Sequence, residues 1–435
     1  MIHARQVHPV ARRHMAGLSL IEMMIALVMA LIVAAGIITV FASTSSSNKV
    51  QQQMAALQEE GRFAIHSLRD DLANANGTYC SNSGGNASGT SSGLYLDALR
   101  SPTVYATSAI PFNDDTVLLP TPTQAYSLPS SMFLRGYDCT TTGCTPLDPN
   151  SKVPAIPAAG KAVGNRVVGS DVLTIRYLKP GSGWAIVKSG SAAGSTMNTT
   201  TVPATITLNP LAGEPAATTF TGSLAMLADC SNAQVFAVAN GGGTLTLTGA
   251  NYAQPLDISQ GAAPRVYDFS NDFQTVTYFL QVVCVDGAAT CPGGPTTGEL
   301  MRRVNGNPQP LVRGVERLDF RYGIIDSNGN TQYLTAAQVD SGTNCPPDVP
   351  IPGGMPSAGC LWRAVQSIEV HILMDGQTPL YTLTPNEMQY LYTPDGNTLN
   401  PPSAHTIKPN ADQGFPQQLI RREFTTLVAL RNFNP

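Results

Sequence analysis

The stretch that decides the fold lies near the N-terminus and reads Ala16-Gly17-Leu18-Ser19-Leu20-Ile21-Glu22-Met23-Met24-Ile25-Ala26-Leu27. A short basic leader precedes it, and an uninterrupted apolar run from Met23 to Phe41 follows it. The one charge inside the apolar stretch that starts at Leu18 is Glu22. An acid at the centre of a membrane helix costs about 2.5–3.5 kcal/mol on insertion scales. The cost is smaller near the helix end, but Glu22 still requires a partner.

This stretch resembles the processing site of type IV prepilins and type II secretion pseudopilins. The resemblance implies that a prepilin peptidase cuts after Gly17 and that the new first residue, Leu18, is N-methylated. It also puts Glu22 at the fifth position of the mature chain, where the family has a glutamate. The family most often has Phe where this chain has Leu18, and Thr where it has Ser19.

A glutamate at this place has a physical reason. Cleavage creates a positively charged amine at Leu18, and in a bundle of apolar helices Glu22 of one subunit would pair with the amine of a neighbour. A buried ion pair adds little net stability, but it sets the register between chains. The alternative is an ordinary membrane anchor with an acid near its end. That alternative is less favoured, because intramembrane acids are rarely unpaired.

The leader, residues 1–17, carries Arg5, Arg12 and Arg13 and no acid, so its removal takes the formal net charge from −4 to −7. A chain of that sign is a poor general nucleic-acid binder, and no specific nucleic-acid partner is expected. Basic residues before the apolar run place the leader in the cytoplasm and the remainder outside. Cleavage by a signal peptidase at Ala42-Ser43-Thr44 is a second possibility, in which the apolar run would be lost.

The cysteines all follow the apolar run, on the predicted outer side of the membrane. Their number is even, which predicts disulfides in an oxidising periplasm. Proximity in the sequence suggests the pairs Cys139–Cys144, Cys284–Cys291 and Cys345–Cys360, which leaves Cys80–Cys230. Other pairings remain open at this point.

Residues 18–76 contain no proline and predict one long helix. Residues 18–41, the membrane-spanning and assembly half, are apolar all round, and residues 42–76 are amphipathic. The helix is predicted to end at Asn76-Gly77. Its apolar face is formed by Leu57, Gly61, Ala64, Ile65, Leu68 and Leu72, and its solvated face by Gln58, Glu59, Glu60, Arg62, Arg69, Asp70 and Asp71.

The remaining residues, 77–435, are dominated by strand patterns, and the charged fraction of the chain is only 12%. Period-two alternation predicts strands at 171–177, 234–238, 243–248, 275–285, 299–304, 317–322, 367–374 and 424–430, with a hairpin turn at Asn240-Gly241. The fold class is therefore α+β and pilin-like: a long N-terminal helix packs on an antiparallel β-sheet in a periplasmic C-terminal domain with long loops.

Three strand segments, 170–177, 311–323 and 422–432, look like PilW-type minor pilins, as does Gly61-Arg62-Phe63-Ala64. This resemblance implies a structural role in a type IV pilus, or fimbrium, a machine of adhesion and twitching motility. It implies that the chain helps to initiate assembly and forms part of the tip complex. The implied partners are the prepilin peptidase, the other minor pilins, the major pilin and a large tip adhesin. The implied location is the inner membrane, with a single pass, and then the pilus tip.

The sequence lacks the motifs of an enzyme. It contains no His-Glu-x-x-His pair, no Gly-x-Ser-x-Gly elbow and no phosphate-binding glycine loop, and no cofactor or metal is expected. Asp326–Asn330 departs from the calcium-loop pattern and is interpreted as a plain turn. His371 is predicted to be exposed, and Arg313, Arg317 and Arg321 are predicted to line one solvated strand face.

Two other functions remain open. One is a minor pseudopilin of type II secretion, in which the same helix serves a short piston. The other is a tip adhesin or DNA receptor, which an exposed aromatic or basic groove within residues 77–230 would support. The segments 77–165 and 180–230 are predicted to be rich in loops and are long for a minor pilin.

Overall fold

The computed structural model describes residues 19–75, 88–89, 95–96, 102–108, 123–149, 156–188, 190–229, 233–253, 264–325, 330–341, 359–380, 390–392, 394, 406–407 and 412–430. The chain divides into two compact units, Met1–Ala55 and Ala56–Pro435. One helix runs through the boundary between them.

This helix, α1, spans Leu20–Leu72, which confirms one long helix from the apolar run into the amphipathic segment. It ends earlier than the predicted Asn76, because residues 73–75 form a turn. The Asn74 side-chain amide donates to the Asp70 carbonyl over 2.8 Å, while the Asn74 backbone N–H donates to Asp71. The side chain thus occupies the acceptor that another helical turn would use. Two short helices follow, α2 at Phe269–Asp272 and α3 at Ala336–Asp340.

The strands are numbered in chain order. They are β1 Ser88–Gly89, β2 Tyr95–Leu96, β3 Thr103–Val104, β4 Tyr126–Ser127, β5 Leu134–Cys139, β6 Cys144–Thr145, β7 Val172–Leu178, β8 Trp184–Val187, β9 Ser195–Asn198, β10 Thr205–Thr207, β11 Leu224–Ala228, β12 Ala233–Gly241, β13 Thr244–Leu247, β14 Arg265–Asp268, β15 Phe273–Cys284, β16 Thr296–Val304, β17 Asn307–Arg313, β18 Val315–Ile325, β19 Thr331–Leu334, β20 Val365–Asp375, β21 Tyr390–Leu391, β22 Thr406–Ile407 and β23 Arg421–Ala429.

Two antiparallel sheets carry the predicted long strands. One has six strands in the order β17-β16-β15-β7-β5-β6, and the other has four in the order β19-β18-β20-β23. The strand expected at 299–304 pairs with the one expected at 275–285, as β16 and β15. The amphipathic end of α1 packs on both sheets in one hydrophobic core, which includes Leu68, Ile175, Leu300 and Ile368. The α+β character is therefore confirmed, but the strands do not form a single sheet.

A closed barrel of seven strands is the feature that the sequence did not predict. Its strands pair around the ring in the order β11-β14-β8-β9-β10-β13-β12, and β12 returns to pair with β11. Six of the seven pairings are antiparallel, and β8–β9 is parallel. Four of these strands, β8 to β11, fall in the segment 180–230, which was expected to be rich in loops. A barrel removes the exposed edges that such short strands would otherwise present.

The barrel is filled by side chains. Trp184, Phe220, Phe236 and Leu245 are among the buried members of its core cluster. The hairpin expected around Asn240-Gly241 exists as β12 and β13, but its turn lies two residues later. Gly242 and Gly243 make the turn with φ of 66° and 95°, a region that glycine enters without strain.

In the sequence, the barrel strands lie between two neighbouring strands of the six-stranded sheet. The chain leaves that sheet at Leu178, the end of β7, and returns at Phe273, the start of β15, and these two residues face each other in the β7–β15 ladder. All seven barrel strands fall between them in the sequence. Only the short strands β3 and β4, which extend the barrel's sheet from β12, come from earlier in the chain.

Candidate functional site

The start of α1 is closed by a reciprocal pair of hydrogen bonds. The Ser19 backbone N–H donates to Glu22 Oε2 over 3.0 Å, and the Glu22 N–H donates to Ser19 Oγ over 3.2 Å. This is a capping box, which satisfies two donors that a helix start leaves unpaired. The predicted cleavage residues Gly17 and Leu18 lie outside the described residues. The sequence interpretation identified Glu22 but missed Ser19, although Ser-x-x-Glu before an apolar run signals such a cap.

The apolar half of α1 is long and apolar enough to cross a membrane. Every large hydrophobic side chain on it is exposed, from Leu20 at 80% to Phe41 at 75%. A soluble protein rarely exposes an apolar surface of this extent, so such a surface marks contact with a membrane or with other proteins.

The amphipathic half buries one face against the sheets. Leu57, Ala64, Leu68 and Leu72 are the buried apolar residues of this face, and Gly61 lies among them. A Cβ on Gly61 would come within 2.6 Å of the Phe424 ring on β23. Glycine is therefore required here for a close approach of the helix to the sheet.

Asp71 is the polar anchor of this face, although it was expected on the solvated side. Its carboxylate accepts from the Tyr278 hydroxyl at 2.5 Å and from the Tyr177 hydroxyl at 2.9 Å. It also accepts from Arg302 Nε at 2.6 Å and Nη2 at 3.1 Å, a bidentate ion pair. The residue is only 8% exposed. The last turn of α1 is thereby tied to β7, β15 and β16.

The anchor perturbs the groups around it. Burial raises the pKa of both phenols, Tyr177 and Tyr278, and the adjacent Asp71 carboxylate raises these pKa values further. The hydrogen bonds from Arg302 to Asp71 raise the pKa of the guanidinium, despite its partial burial. The cluster is therefore one anion, one cation and two neutral donors, a fully satisfied arrangement that specifies a single geometry.

A second polar contact joins α1 to the sheets through Glu60. The Gln377 side-chain amide donates to Glu60 Oε2 over 3.1 Å, and the Gln377 backbone N–H donates to Asp375 Oδ1 over 2.7 Å. Asp375 is fully buried and also accepts from the Thr297 hydroxyl. Burial raises the pKa of both Glu60 and Asp375.

Glu316 lies beside Asp375 and is equally buried. Arg421 donates to both of its carboxylate oxygens, at 2.6 Å from Nε and 2.9 Å from Nη2. This partner lowers the pKa of Glu316, but burial outweighs it and raises the pKa to about 8. Among the described residues, Gln377 thus connects Glu60 of the helix to Asp375, and Arg421 is the cation that pairs with the neighbouring Glu316.

Two disulfides are formed by described residues, Cys139–Cys144 and Cys284–Cys291, both suggested by proximity. Arg166, which is 1% exposed, directs Nη1 at both sulfurs of the first, at 3.4 and 3.3 Å. Cys80, Cys230 and Cys345 lie outside the described residues, as does the side chain of Cys360. The pairs Cys80–Cys230 and Cys345–Cys360 remain predictions.

Two expectations about exposed charges on the four-stranded sheet are wrong. His371 is buried, with Nδ1 2.8 Å from Glu423 Oε1 and Nε2 3.4 Å from Glu369 Oε1. Arg317 is also buried, below the Tyr392 ring at 5.2 Å from its centroid. The reason is that a later segment covers this face of the sheet.

The three arginines do not share one strand. Arg313 ends β17 and pairs with Glu299 at 3.0 Å, whereas Arg317 and Arg321 lie on β18. Gly314 separates the two strands with a φ of 77°, which changes the direction of the chain. Asp326–Asn330 was interpreted as a plain turn and not as a calcium loop. Residues 326–329 of this segment lie outside the described part of the chain.

The described residues contain no group of three or more His, Cys, Asp or Glu placed to hold a metal ion. Within 77–230, the described tryptophan and phenylalanine side chains, Trp184, Phe133 and Phe220, are buried. Arg135, Arg166 and Arg176, the described arginines of that region, are buried as well. The described part of 77–230 therefore presents no arginine, tryptophan or phenylalanine for an exposed binding groove.

Comparison with known proteins gives one match. Residues 288–432, a third of the chain, match the family model described as PilW, Type IV Pilus-assembly protein W. No curated protein and no solved structure matches the chain. The matched segment contains β16 to β20 and β23, and thus Arg302, which binds Asp71 of α1. PilW is a family of pilus assembly and not a known enzyme family. The C-terminal region, residues 288–432, is therefore similar to a family of type IV pilus assembly.

Proposed function

We propose that the chain is a minor pilin of a type IV pilus that helps to initiate assembly and forms part of the tip complex. The observation that carries the proposal is a combination of two features on one chain. The C-terminal region matches the PilW family. The N-terminal helix carries an apolar surface that the chain itself leaves exposed.

In this proposal a prepilin peptidase removes residues 1–17. The helix from Leu18 then sits in the inner membrane, with the C-terminal domain in the periplasm, and moves into a bundle with helices of other minor pilins and the major pilin. Because the apolar side chains leave lipid and not water, close packing between helices, and not the hydrophobic effect, stabilises the bundle.

Glu22 has two tasks in the proposal. One oxygen keeps the bond with the Ser19 N–H that closes the helix start. The negative charge pairs with the Leu18 amine of a neighbouring subunit and sets the register. The capping bond leaves the second oxygen and most lone pairs of the carboxylate available, so the two tasks do not compete.

The first test is mass spectrometry of the mature N-terminus, from membranes and from sheared fibres. A chain that begins at Leu18, with or without a methyl group, supports prepilin processing, and its presence in the fibre fraction supports a pilus subunit. A chain that begins at Met1, or beyond Phe41, contradicts the proposal. A processed chain absent from fibres would favour a pseudopilin of type II secretion.

A second test separates the two tasks of Glu22. Glu22→Gln keeps an acceptor for the Ser19 N–H but has no charge, whereas Glu22→Ala removes both. If the charge sets the register, both variants insert into the membrane and both reduce piliation. Normal piliation with Glu22→Gln would show that the cap alone is needed, and would remove the register argument.

A further inference from the structure

The strand β23 forms one edge of the four-stranded sheet. It is nine residues long, and within the described part of the chain it pairs with β20 alone. An edge strand of this length presents a row of backbone donors and acceptors that a further strand can use.

The direction of these backbone groups follows from one hydrogen bond. The Leu430 N–H donates to the Gln366 carbonyl, in the same register as the β20–β23 ladder. In an antiparallel ladder every second residue faces the partner strand, so residues 428, 426, 424 and 422 also face β20. Thr425, Leu427 and Ala429 therefore direct N–H and C=O away from the sheet.

These three residues are also exposed. Thr425, Leu427 and Ala429 are all accessible to solvent, and Leu427 is 56% exposed. Among the described residues, no backbone hydrogen bond joins any of the three to a segment outside the ladder. The outward side of β23 is thus an accessible row of three residues with an apolar side chain at its centre.

The long edge strand of the six-stranded sheet, β17, differs from β23. Its edge strand β17 contains Pro308 and Pro310, which have no N–H to offer to a further strand. Proline on an edge is a common way to prevent unwanted pairing. β23 contains no proline, so the protein blocks one long edge and leaves the other open.

The charges on β23 indicate the chemistry of a partner strand. Glu423 already contacts His371, whose Nδ1 lies 2.8 Å from Glu423 Oε1, whereas Arg422 on the other face is exposed. In an antiparallel partner, residues directly opposite lie within about 5.5 Å, so an acid would face Arg422. Read from N to C, such a partner has an apolar residue opposite Leu427, four other residues and then an acidic residue.

A second copy of this chain does not meet that requirement. Two β23 strands can pair in antiparallel orientation with the midpoint of the pair at residue 425, 426 or 427, because residues 425 and 427 are exposed. These three registers place Val428, Leu430 or Asn432, in that order, opposite Arg422, and none of the three is acidic. The chemistry therefore favours a different chain.

We propose that β23 accepts an extended strand from a different subunit of the same assembly, which adds to the sheet in antiparallel orientation next to Thr425, Leu427 and Ala429. The identity of the partner as an assembly subunit rests on the proposed function. The strand carries an apolar residue against Leu427 and an acidic residue against Arg422.

The test is photo-crosslinking from position 427. The full chain carries p-benzoylphenylalanine in place of Leu427, in cells that assemble the fibre, and adducts are identified by mass spectrometry in both membranes and sheared fibres. We expect an adduct with another subunit, at a segment in which an acidic residue follows an apolar residue with four other residues between them. The same photo-reactive residue in place of Asn307, on the proline-containing β17, should give only background.

Two variants show whether the edge itself makes the contact. Thr425→Pro removes one outward N–H and leaves the β20 ladder intact, and Arg422→Glu reverses an exposed charge without altering the backbone. Each should reduce the adduct about fivefold, as the loss of one hydrogen bond worth about 1 kcal/mol does. Thr426→Pro, which removes an inward N–H, should instead destabilise the domain.

An adduct between two copies of this chain, or no adduct above the Asn307 background, would overturn the proposal. An adduct unaffected by both Thr425→Pro and Arg422→Glu would overturn it as well. Absence of the chain from fibres would contradict the proposed function instead, and the membrane fraction would still report whether the edge is occupied.

Discussion

Replacing Asp71 by alanine should release the last turn of α1 from the sheets. The variant loses the bidentate pair with Arg302 and the hydrogen bonds from Tyr177 and Tyr278. The neighbouring Asp70 offers a matched control, because its side chain is 66% exposed and, among the described residues, forms an ion pair with His66 alone, at 3.6 Å.

The structure sets the expected magnitude. Removing one partner of a buried ion pair costs about 3–5 kcal/mol. The Arg302 side chain is 23% exposed and keeps a bond to Gln309, so water can hydrate it, and the lower end of about 3 kcal/mol is expected. Asp71→Asn keeps an acceptor and loses the charge, and should cost about 2 kcal/mol. Asp70→Ala should cost less than about 0.5 kcal/mol.

The assay is urea unfolding of the full-length chain in mild detergent, followed by tryptophan fluorescence. Trp362 belongs to the same core cluster as the buried face of α1, and Trp184 belongs to the barrel. A Trp184→Phe background therefore restricts the signal to the core that Asp71 anchors. The urea midpoint should fall with an unchanged slope, because a lower midpoint at constant slope reports lost stability.

Equal losses of stability for Asp71→Ala and Asp70→Ala would refute the reasoning. So would an Asp71→Asn variant as stable as the parent, since the charge would then contribute nothing. If Asp71→Ala does not fold at all, the comparison between Asp71→Asn and Asp70→Ala still decides the question.

Three other perturbations test the contacts around the core. Gly61→Ala should lower the unfolding free energy by about 1–3 kcal/mol, because its Cβ would meet the phenylalanine ring of β23. The control variant Gly36→Ala, with open space around it, should not lower the unfolding free energy. Equal effects of the two variants would contradict the close approach of the helix to the sheet. Burial raises the pKa of Glu316 to about 8, from 4.5 in the unfolded chain, so urea stability should fall as pH rises from 5 to 8. Glu316 alone contributes at most about 1.4 kcal/mol per pH unit to this fall, and Glu316→Gln should remove that contribution while Glu60 and Asp375 keep theirs. A stability that rises over that range would contradict the linkage. Replacing Cys139 and Cys144 together by serine should cost about 2 kcal/mol, by the entropy of a short closed loop, and a double variant as stable as the parent would contradict it.

The amphipathic helix and the long strands were predictable because their patterns are local. Leu57, Ala64, Leu68 and Leu72 repeat at helical spacing, and that spacing alone indicates a buried face. Asp71 shares the spacing, since it lies three residues after Leu68 and seven after Ala64. It was assigned to solvent because acids usually are solvated, and its partner Arg302 lies far along the chain.

His371 and the barrel were missed for a related reason. His371 alternates with buried residues on β20, which predicts exposure only if the second face of the sheet is open, and Tyr392 packs under that face with its hydroxyl bonded to the His371 carbonyl. Only β12 and β13 were predicted, as a hairpin; the other barrel strands are short and separated by Gly, Pro and Thr, so each of them resembles a loop by itself. Their burial depends on the ring contact between β11 and β12, which no local pattern reports.

The adjacency of Leu178 and Phe273 has an evolutionary consequence. Since the chain leaves and re-enters the six-stranded sheet at facing positions, a tight turn there would reconnect β7 to β15 without moving either strand. A lineage can therefore gain, lose or exchange the whole intervening module while the scaffold that binds α1 is preserved. The connection between Leu178 and Phe273 is also a suitable site for the insertion of a foreign domain into this chain.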